Sequence, residues 1–144
     1  ILDEVAEAGL VEEVSAGRYR FAHSLTRDAV YAGLGPSKRA RLHAAAATAL
    51  AEQQAPAPGR RLGEIALHRC EAADEAGDAE AVDLAAEAAA IAMDEGAYEQ
   101  AVALLTRALA VVPDGDVERR RSIAGHRARA FARLTHAILD TPAS

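Results

Sequence analysis

Large side chains are scarce in this sequence, and this scarcity limits the kind of core that the chain can build. It contains no tryptophan, and aromatic residues account for 3% of its 144 residues. Hydrophobic residues reach 51%, but they are largely alanine, which buries little area per residue. Alanine also has the highest helix propensity of the common residues. The composition therefore predicts helices that approach each other closely around a thin core.

Other absences exclude whole classes of protein. Lys38 is the only lysine, and the formal net charge of −6 disfavours a general electrostatic grip on nucleic acid or on an anionic membrane. Because Cys70 is the only cysteine, no internal disulfide can form, and a reducing cytoplasm is the expected location. We expect this cysteine to be a buried, small apolar residue. No apolar run approaches 18 residues, so no membrane span is predicted.

Catalytic signatures are missing as well. The sequence has no glycine-rich stretch followed by Lys-Ser or Lys-Thr, the pattern of a phosphate-binding loop. It offers no nucleophile–base pair and no credible set of metal ligands, so we predict no catalytic residue and no enzyme activity. The chain begins Ile1-Leu2-Asp3 without a methionine or a signal-peptide pattern, and we expect a fragment that starts inside a structural element.

The first 35 residues carry a mixed pattern. Apolar residues at helical spacing run up to Leu10, and Gly9 is the expected end of that helix. Two short segments with strand character follow, on either side of a tight turn at residues 15–17. The order helix, strand, turn, strand is that of the end of a winged-helix module. Arg18 and Arg20 lie in the expected wing, and acidic residues on the other strand favour a solvated face over DNA contact.

The pattern predicts helices from residue 24 onward, and residues 36–144 are expected to form a helical region of their own. Ser24 is the expected N-cap of a helix with the apolar stripe Leu25, Ala29, Val30 and Leu34, and Ser37 is the expected N-cap of the next, which runs to about residue 53. A loop is predicted at 54–59. Further helices are predicted at about 61–75, 79–95, 97–112 and 117–139, the last with five inward residues: Ile123, Ala124, Phe131, Leu134 and Ile138.

Residues 82–115 resemble one tetratricopeptide repeat of 34 residues. Small residues, among them Ala101 and Ala108, stand where the two helices of such a repeat must touch. Gly96 makes the turn between the helices, and Tyr98 fills the wedge beside it. A single repeat cannot bury its own apolar face, so the helices at 61–75 and 117–139 are the expected neighbours.

The segment from Arg18 to Tyr31, Arg-Tyr-Arg-Phe-Ala-His-Ser-Leu-Thr-Arg-Asp-Ala-Val-Tyr, supports a second resemblance. It is similar to the part that follows the ATPase core in bacterial signal-transduction ATPases with numerous domains. These include large LuxR-type regulators and ATPases linked to adenylate cyclases. The resemblance implies a fold of a winged-helix end, linking helices and tetratricopeptide-like hairpins. It also implies that ATP or ADP binds elsewhere in the parent protein, with no cofactor in this segment.

His23 is the residue to which this resemblance gives the sharpest role. In related ATPase switches, the histidine of the winged helix contacts the β-phosphate of ADP and holds the off state. A histidine ring suits this role because it can donate an N–H to phosphate. The aspartate that follows in those switches is Ser24 here. A histidine that only caps the junction between strand and helix is the structural alternative.

Two charged clusters complete the list of candidates. Glu64, His68 and Glu71 share one helical face, but three such residues alone are weak evidence for a metal, so we predict no metal site. The last helix is rich in arginine, and its basic residues spread around the helix. They indicate either a solvated face or a docking surface for an acidic partner, with Arg119, Arg120 and Arg127 as the docking candidates.

The sequence therefore predicts a mostly α-helical chain: a short winged-helix-type β-hairpin, then an antiparallel array of helical hairpins. The expected function is signal relay and protein interaction in a multidomain bacterial regulator, between an ATPase switch and an output domain. The expected partners are proteins, including the other domains of the parent or a second copy. A DNA-binding winged-helix protein with a helical dimerisation tail is the alternative, and salt-dependent DNA binding would support it.

Overall fold

A computed structural model of the chain describes residues 2–15, 18–53 and 58–140. It is 74% helical, with one two-stranded antiparallel hairpin, and it confirms the predicted fold class. The predicted tight turn falls largely on residues 16 and 17, and the predicted loop largely on 54–57, so both lie outside the described residues. The elements are α1 (Leu2–Glu7), β1 (Val11–Ser15), β2 (Arg18–Phe21), α2 (Ser24–Ala32), α3 (Pro36–Glu52), α4 (Pro58–Ala72), α5 (Ala79–Asp94), α6 (Tyr98–Ala110) and α7 (Val117–Leu139).

Two compact units divide the chain. The first is Ile1–Arg39 and the second is Ala40–Ser144, so the boundary between them falls inside α3. The division expected from sequence, a winged-helix-like module at 1–35 and a helical region at 36–144, stays a prediction. Among the described residues, no helix has both the length and the apolar character needed to cross a membrane.

In the first unit, a glycine ends the first helix as predicted. Gly9 has a φ of 71°, and the N–H of Leu10 donates to the carbonyl of Val5, which closes the last turn of α1. The strands β1 and β2 then pair with Glu12 opposite Arg20. Arg20 Nη2 lies 2.8 Å from Glu12 Oε2, and both side chains are exposed. This ion pair agrees with the interpretation of the strand as a solvated face.

Several predicted details of the middle helices are wrong. The N-cap of α2 is His23 rather than Ser24, which is already helical, and α3 begins at Pro36, one residue before the expected cap Ser37. Proline suits that first position because it has no N–H to leave unsatisfied. The predicted stripe of α2 is also wrong, since Leu25 is 81% exposed and α2 has no buried residue. Helical spacing cannot tell an apolar stripe that is covered from one that is not.

The second unit holds the main core, which is made mostly of alanine. The helix α5 packs against α4 and α6, and α6 packs against α7. The largest fully buried side chains are Leu104, Leu105 and Val82. Cys70 is buried, as predicted, with its Sγ 3.8 Å from the carbonyl oxygen of Ala81. Burial raises the pKa of this thiol to about 11, so it stays protonated near neutrality.

The α4–α5 and α6–α7 hairpins repeat the same local geometry. Gly77 and Gly115 both have a positive φ, 83° and 85°, and each precedes an aspartate that caps the following helix. Asp78 accepts from the N–H of Ala81 at 2.9 Å, and Asp116 accepts from the N–H of Arg119 at 3.0 Å. The two glycines are about 38 positions apart, four more than the repeat period to which the sequence was compared.

The inward face predicted for α7 is only partly correct. Ile123 and Ala130, which are about two helical turns apart, are buried, and Leu134 is half-buried. Ala124, Phe131 and Ile138 were expected inside but are exposed, Phe131 to 60% and Ile138 to 61%. The reason is that α6 covers one side of α7, whereas no later helix in the described part of the chain covers the other.

Candidate protein-interaction surface

Two arginines at the start of α7 fix this helix on the hairpin before it. Arg119 Nε lies 3.0 Å from Asp83 Oδ1 on α5, and its Nη1 also pairs with Asp116. The hydrogen bond to Asp83, and then the one to Asp116, raise the pKa of Arg119. The pKa of Asp116 is lowered, mainly because its side chain accepts a hydrogen bond from the backbone N–H of Arg119. Arg120 donates to the carbonyls of Leu109 and Val112, both at 3.3 Å, at the carboxyl end of α6. Cations suit this end of a helix.

The three arginines predicted to form a docking face therefore differ in their surroundings. Arg119 and Arg120 have partners within the chain, so both help to position α7. Arg127 is exposed and lines a shallow depression together with Val102, Thr106, Ala124, Ala128 and Phe131. Their role as a docking surface stays a prediction for all three.

A longer groove runs between α5 and α7 and has an apolar floor. One part has a volume of about 270 Å³ and is lined by Ala86, Ala89, Ala90, Met93, Asp94, Leu105, His126 and Arg129. The adjoining part, of about 660 Å³, shares Met93 and Arg129 and adds Tyr98 and Arg133. We call these two parts together the α5–α7 groove. Three of the α5 residues that line it, Ala86, Ala89 and Ala90, are alanines, whose small side chains leave the floor open.

The α7 wall of this groove carries positive charge. Arg129 and Arg133 are four residues apart, so they lie on the same face of the helix, and His126 lies beside them. Both arginines are exposed. Within residues 2–15, 18–53 and 58–140, neither of them forms an ion pair. The α5 wall contributes one carboxylate, Asp94.

Sequence reasoning noted these arginines but did not group them. It treated the basic residues of α7 as spread around the helix, because six arginines in one helix obscure a single stripe. The spacing of His126, Arg129 and Arg133 was the available signal. What it lacked was the position of α5, which decides that this side of α7 faces a groove.

The four packing residues expected in the repeat lie in and around the α5–α6 hairpin. Gly96 has a φ of 76° and ends α5, where the N–H of Ala97 donates to the carbonyl of Ala92 at 2.7 Å. Ala101 and Ala108 are fully buried in α6. Tyr98 is half-buried at the first position of α6 and lines the α5–α7 groove.

His23 lies where sequence placed it, after β2 and before α2. Its backbone is extended, with φ −134° and ψ 138°, and its carbonyl accepts from the N–H of Arg27. The imidazole is exposed and makes no capping hydrogen bond. The side chain is thus available at the amino end of α2, and its role as a nucleotide sensor stays a prediction.

No group of three or more metal-ligating side chains forms among the residues that the structure describes. His68 instead contacts His43 of α3, with Nδ1 atoms 2.8 Å apart and ring centroids 5.1 Å apart. Sequence reasoning missed this pair because the two histidines are 25 residues apart and belong to different helices. Burial, and then the neighbouring ring of His43, lower the pKa of His68, against the opposing effect of Glu64 and Glu71.

Comparison of the chain with protein-family models, with curated proteins and with solved structures finds no match.

Proposed function

We propose that this chain is a protein-interaction and signal-relay segment, and that the α5–α7 groove binds an acidic segment of a partner protein. The groove is the observation that carries this proposal. An apolar floor of alanines and Met93 lies beside a wall on which Arg129 and Arg133 project without a carboxylate partner in the described chain. Such a surface suits a segment that combines carboxylates with small apolar side chains.

The packing of the helices supports this function. Arg119 bonds α7 to α5, and Arg120 bonds α7 to the carboxyl end of α6. These contacts fix the start of the helix that forms the basic wall of the groove. A binding surface that is already formed loses less conformational freedom when the partner binds. The groove is therefore supported by fixed elements and not by a loop.

The wider setting of the proposal rests on sequence resemblance. Residues 18–31 resemble the segment after the ATPase core of multidomain bacterial regulators, which would place the chain between an ATPase switch and an output domain. In that setting His23 contacts the nucleotide bound upstream, and the helical array holds the partner. Carboxylates of the parent's own domains are as suitable for the groove as those of a separate protein.

The test uses a fluorescein-labelled peptide of about 12 residues in which glutamates alternate with alanine and leucine. As a helix, a peptide of this length has about three turns and is about 18 Å long. Fluorescence anisotropy measures its binding to the chain. We expect saturable binding that weakens as NaCl rises from about 50 to 500 mM, because salt screens exposed charges. A peptide with lysines in place of the glutamates is the charge control and should not bind.

Matched variants locate the site. Arg129→Glu and Arg133→Glu should each weaken binding about tenfold or more, since reversed charges at an interface are repulsive. Arg121→Glu is the control, because Arg121 is an exposed arginine of the same helix that does not line the groove. An equal loss of affinity in all three variants would show that binding depends on the net charge of the chain and not on the groove. If the acidic peptide does not bind at all, the assignment of the groove is refuted.

A further inference from the structure

The contact between His43 and His68 has a chemistry that the proposed function does not use. The two Nδ1 atoms are 2.8 Å apart, which is a hydrogen-bond distance between two ring nitrogens. Such a bond needs a proton on one nitrogen and a lone pair on the other. It joins α3 to α4, and both rings are half-buried.

The bond tolerates one positive charge but not two. A first proton adds to Nε2 of the donating ring and leaves the Nδ1–H···Nδ1 bond in place. A second proton must take the lone pair of the accepting Nδ1, so two N–H groups then face each other and the bond is lost. Two charged rings at this distance also repel each other.

The surroundings of His68 disfavour protonation of its ring. Its pKa is lowered by burial first and by His43 second, although Glu64 and Glu71 on the same helix act in the opposite direction. From α6, Arg107 pairs with Glu71 at 3.0 Å and offsets part of that carboxylate's effect. Because the pKa of His68 in the fold is below its ordinary value, this ring stays uncharged to a lower pH than a free histidine, and the bond is lost only when the pH falls far enough to charge both rings.

Little of α3 is buried. Ala47 is its one buried residue among those described. The hydrogen bond between the half-buried rings is therefore one of the contacts that fix the second half of α3. His43 and His68 both lie in the second unit, so the contact belongs to that unit alone.

We propose that the His43–His68 pair is a proton-controlled latch, which holds α3 on α4 at neutral pH and releases it when both rings are protonated. The latch is independent of the α5–α7 groove, to which neither histidine belongs. It would make the attachment of α3 sensitive to mild acid without unfolding α5 and α6, whose buried residues are apolar.

The test is hydrogen–deuterium exchange of the whole chain at about pH 8 and about pH 5, the second value lying well below the ordinary histidine pKa because the pKa of His68 is lowered, with rates corrected for intrinsic exchange. Amides of α3 from His43 to Glu52 should exchange about tenfold faster at the lower pH, as expected for the loss of one hydrogen bond. Amides of α5 and α6 should not change. Equal protection of α3 at both values would overturn the proposal.

His68→Gln and His43→Gln remove the titration from either side and should abolish the pH response of α3. Circular dichroism checks that each variant folds. Because either variant alone tests the latch, a folding defect in one leaves the other to give the result. His136→Gln is the control, because His136 is an exposed histidine of α7 that pairs with Asp140 and does not contact His43 or His68, and it should keep the response. Persistence of the response in both latch variants, or its removal by EDTA, would assign it to another group or to a bound metal and refute the latch.

Discussion

The two equivalent glycines allow one stability prediction to be worked out closely. Gly77 and Gly115 have nearly the same positive φ, 83° and 85°, and each precedes a capping aspartate. A Cβ at Gly115 would meet nothing within 4 Å. A Cβ at Gly77 would lie 2.7 Å from the carbonyl oxygen of Val111 and 2.8 Å from the Cα and N of Pro113. These three are backbone atoms, so they cannot move aside as a flexible side chain would.

Both glycines are to be replaced by alanine. Gly115→Ala should cost about 1–2 kcal/mol, the penalty for an L-residue in the left-handed region. Gly77→Ala carries the same penalty and should lose about 1–3 kcal/mol more from overpacking. It also displaces the loop in which the N–H of Asp78 donates to Val111 at 2.9 Å, a bond with a net value of about 0.5–1.5 kcal/mol. The backbone and overpacking penalties for Gly77→Ala add up to about 2–5 kcal/mol, and loss of the hydrogen bond would bring the total to about 2.5–6.5 kcal/mol.

Urea and thermal unfolding followed at 222 nm measure both variants. For a domain of about 100 residues, each kcal/mol lowers Tm by about 4–8 °C, so the two variants should be well separated. Equal losses would show that the close approach of the two loops is not formed in solution. A loss larger for Gly115→Ala than for Gly77→Ala would contradict the reasoning directly.

Three further predictions concern single side chains. Ala101→Leu adds volume at a fully buried position and should cost about 1–3 kcal/mol in urea unfolding, whereas Ala103→Leu, on the exposed side of the same helix, should cost almost nothing because alanine and leucine have similar helix propensities. Cys70 should not react with a thiol reagent at pH 8 in the folded chain and should react in urea, since burial raises its pKa to about 11; rapid labelling of the folded chain would contradict this burial. In a protein that includes the upstream ATPase, His23→Ala should speed ADP release and raise the output about tenfold or more, because one charged hydrogen bond to phosphate is worth about 1.5–3 kcal/mol. Unchanged ADP release with unchanged output would leave His23 a structural residue.

The candidate sites were only partly accessible to sequence reasoning. A pattern within one helix identifies residues that share a face, so Arg129 and Arg133 can be paired from their spacing alone. It does not identify what lies opposite that face, and the groove depends on the alanines of α5 as much as on the arginines of α7. The contact of His43 with His68 has no sequence signal, since nothing local links residues on different helices.

Local chemistry in the sequence determined the elements of this chain. Gly9 and Gly96 end helices because glycine adopts a positive φ without strain, and Asp78 and Asp116 begin helices because a carboxylate accepts from exposed backbone N–H groups. Tertiary packing decided which apolar faces are covered. Leu25 and Phe131 satisfy the same spacing rule as buried residues, yet they are exposed, because burial requires a second element on that side and spacing carries no information about it.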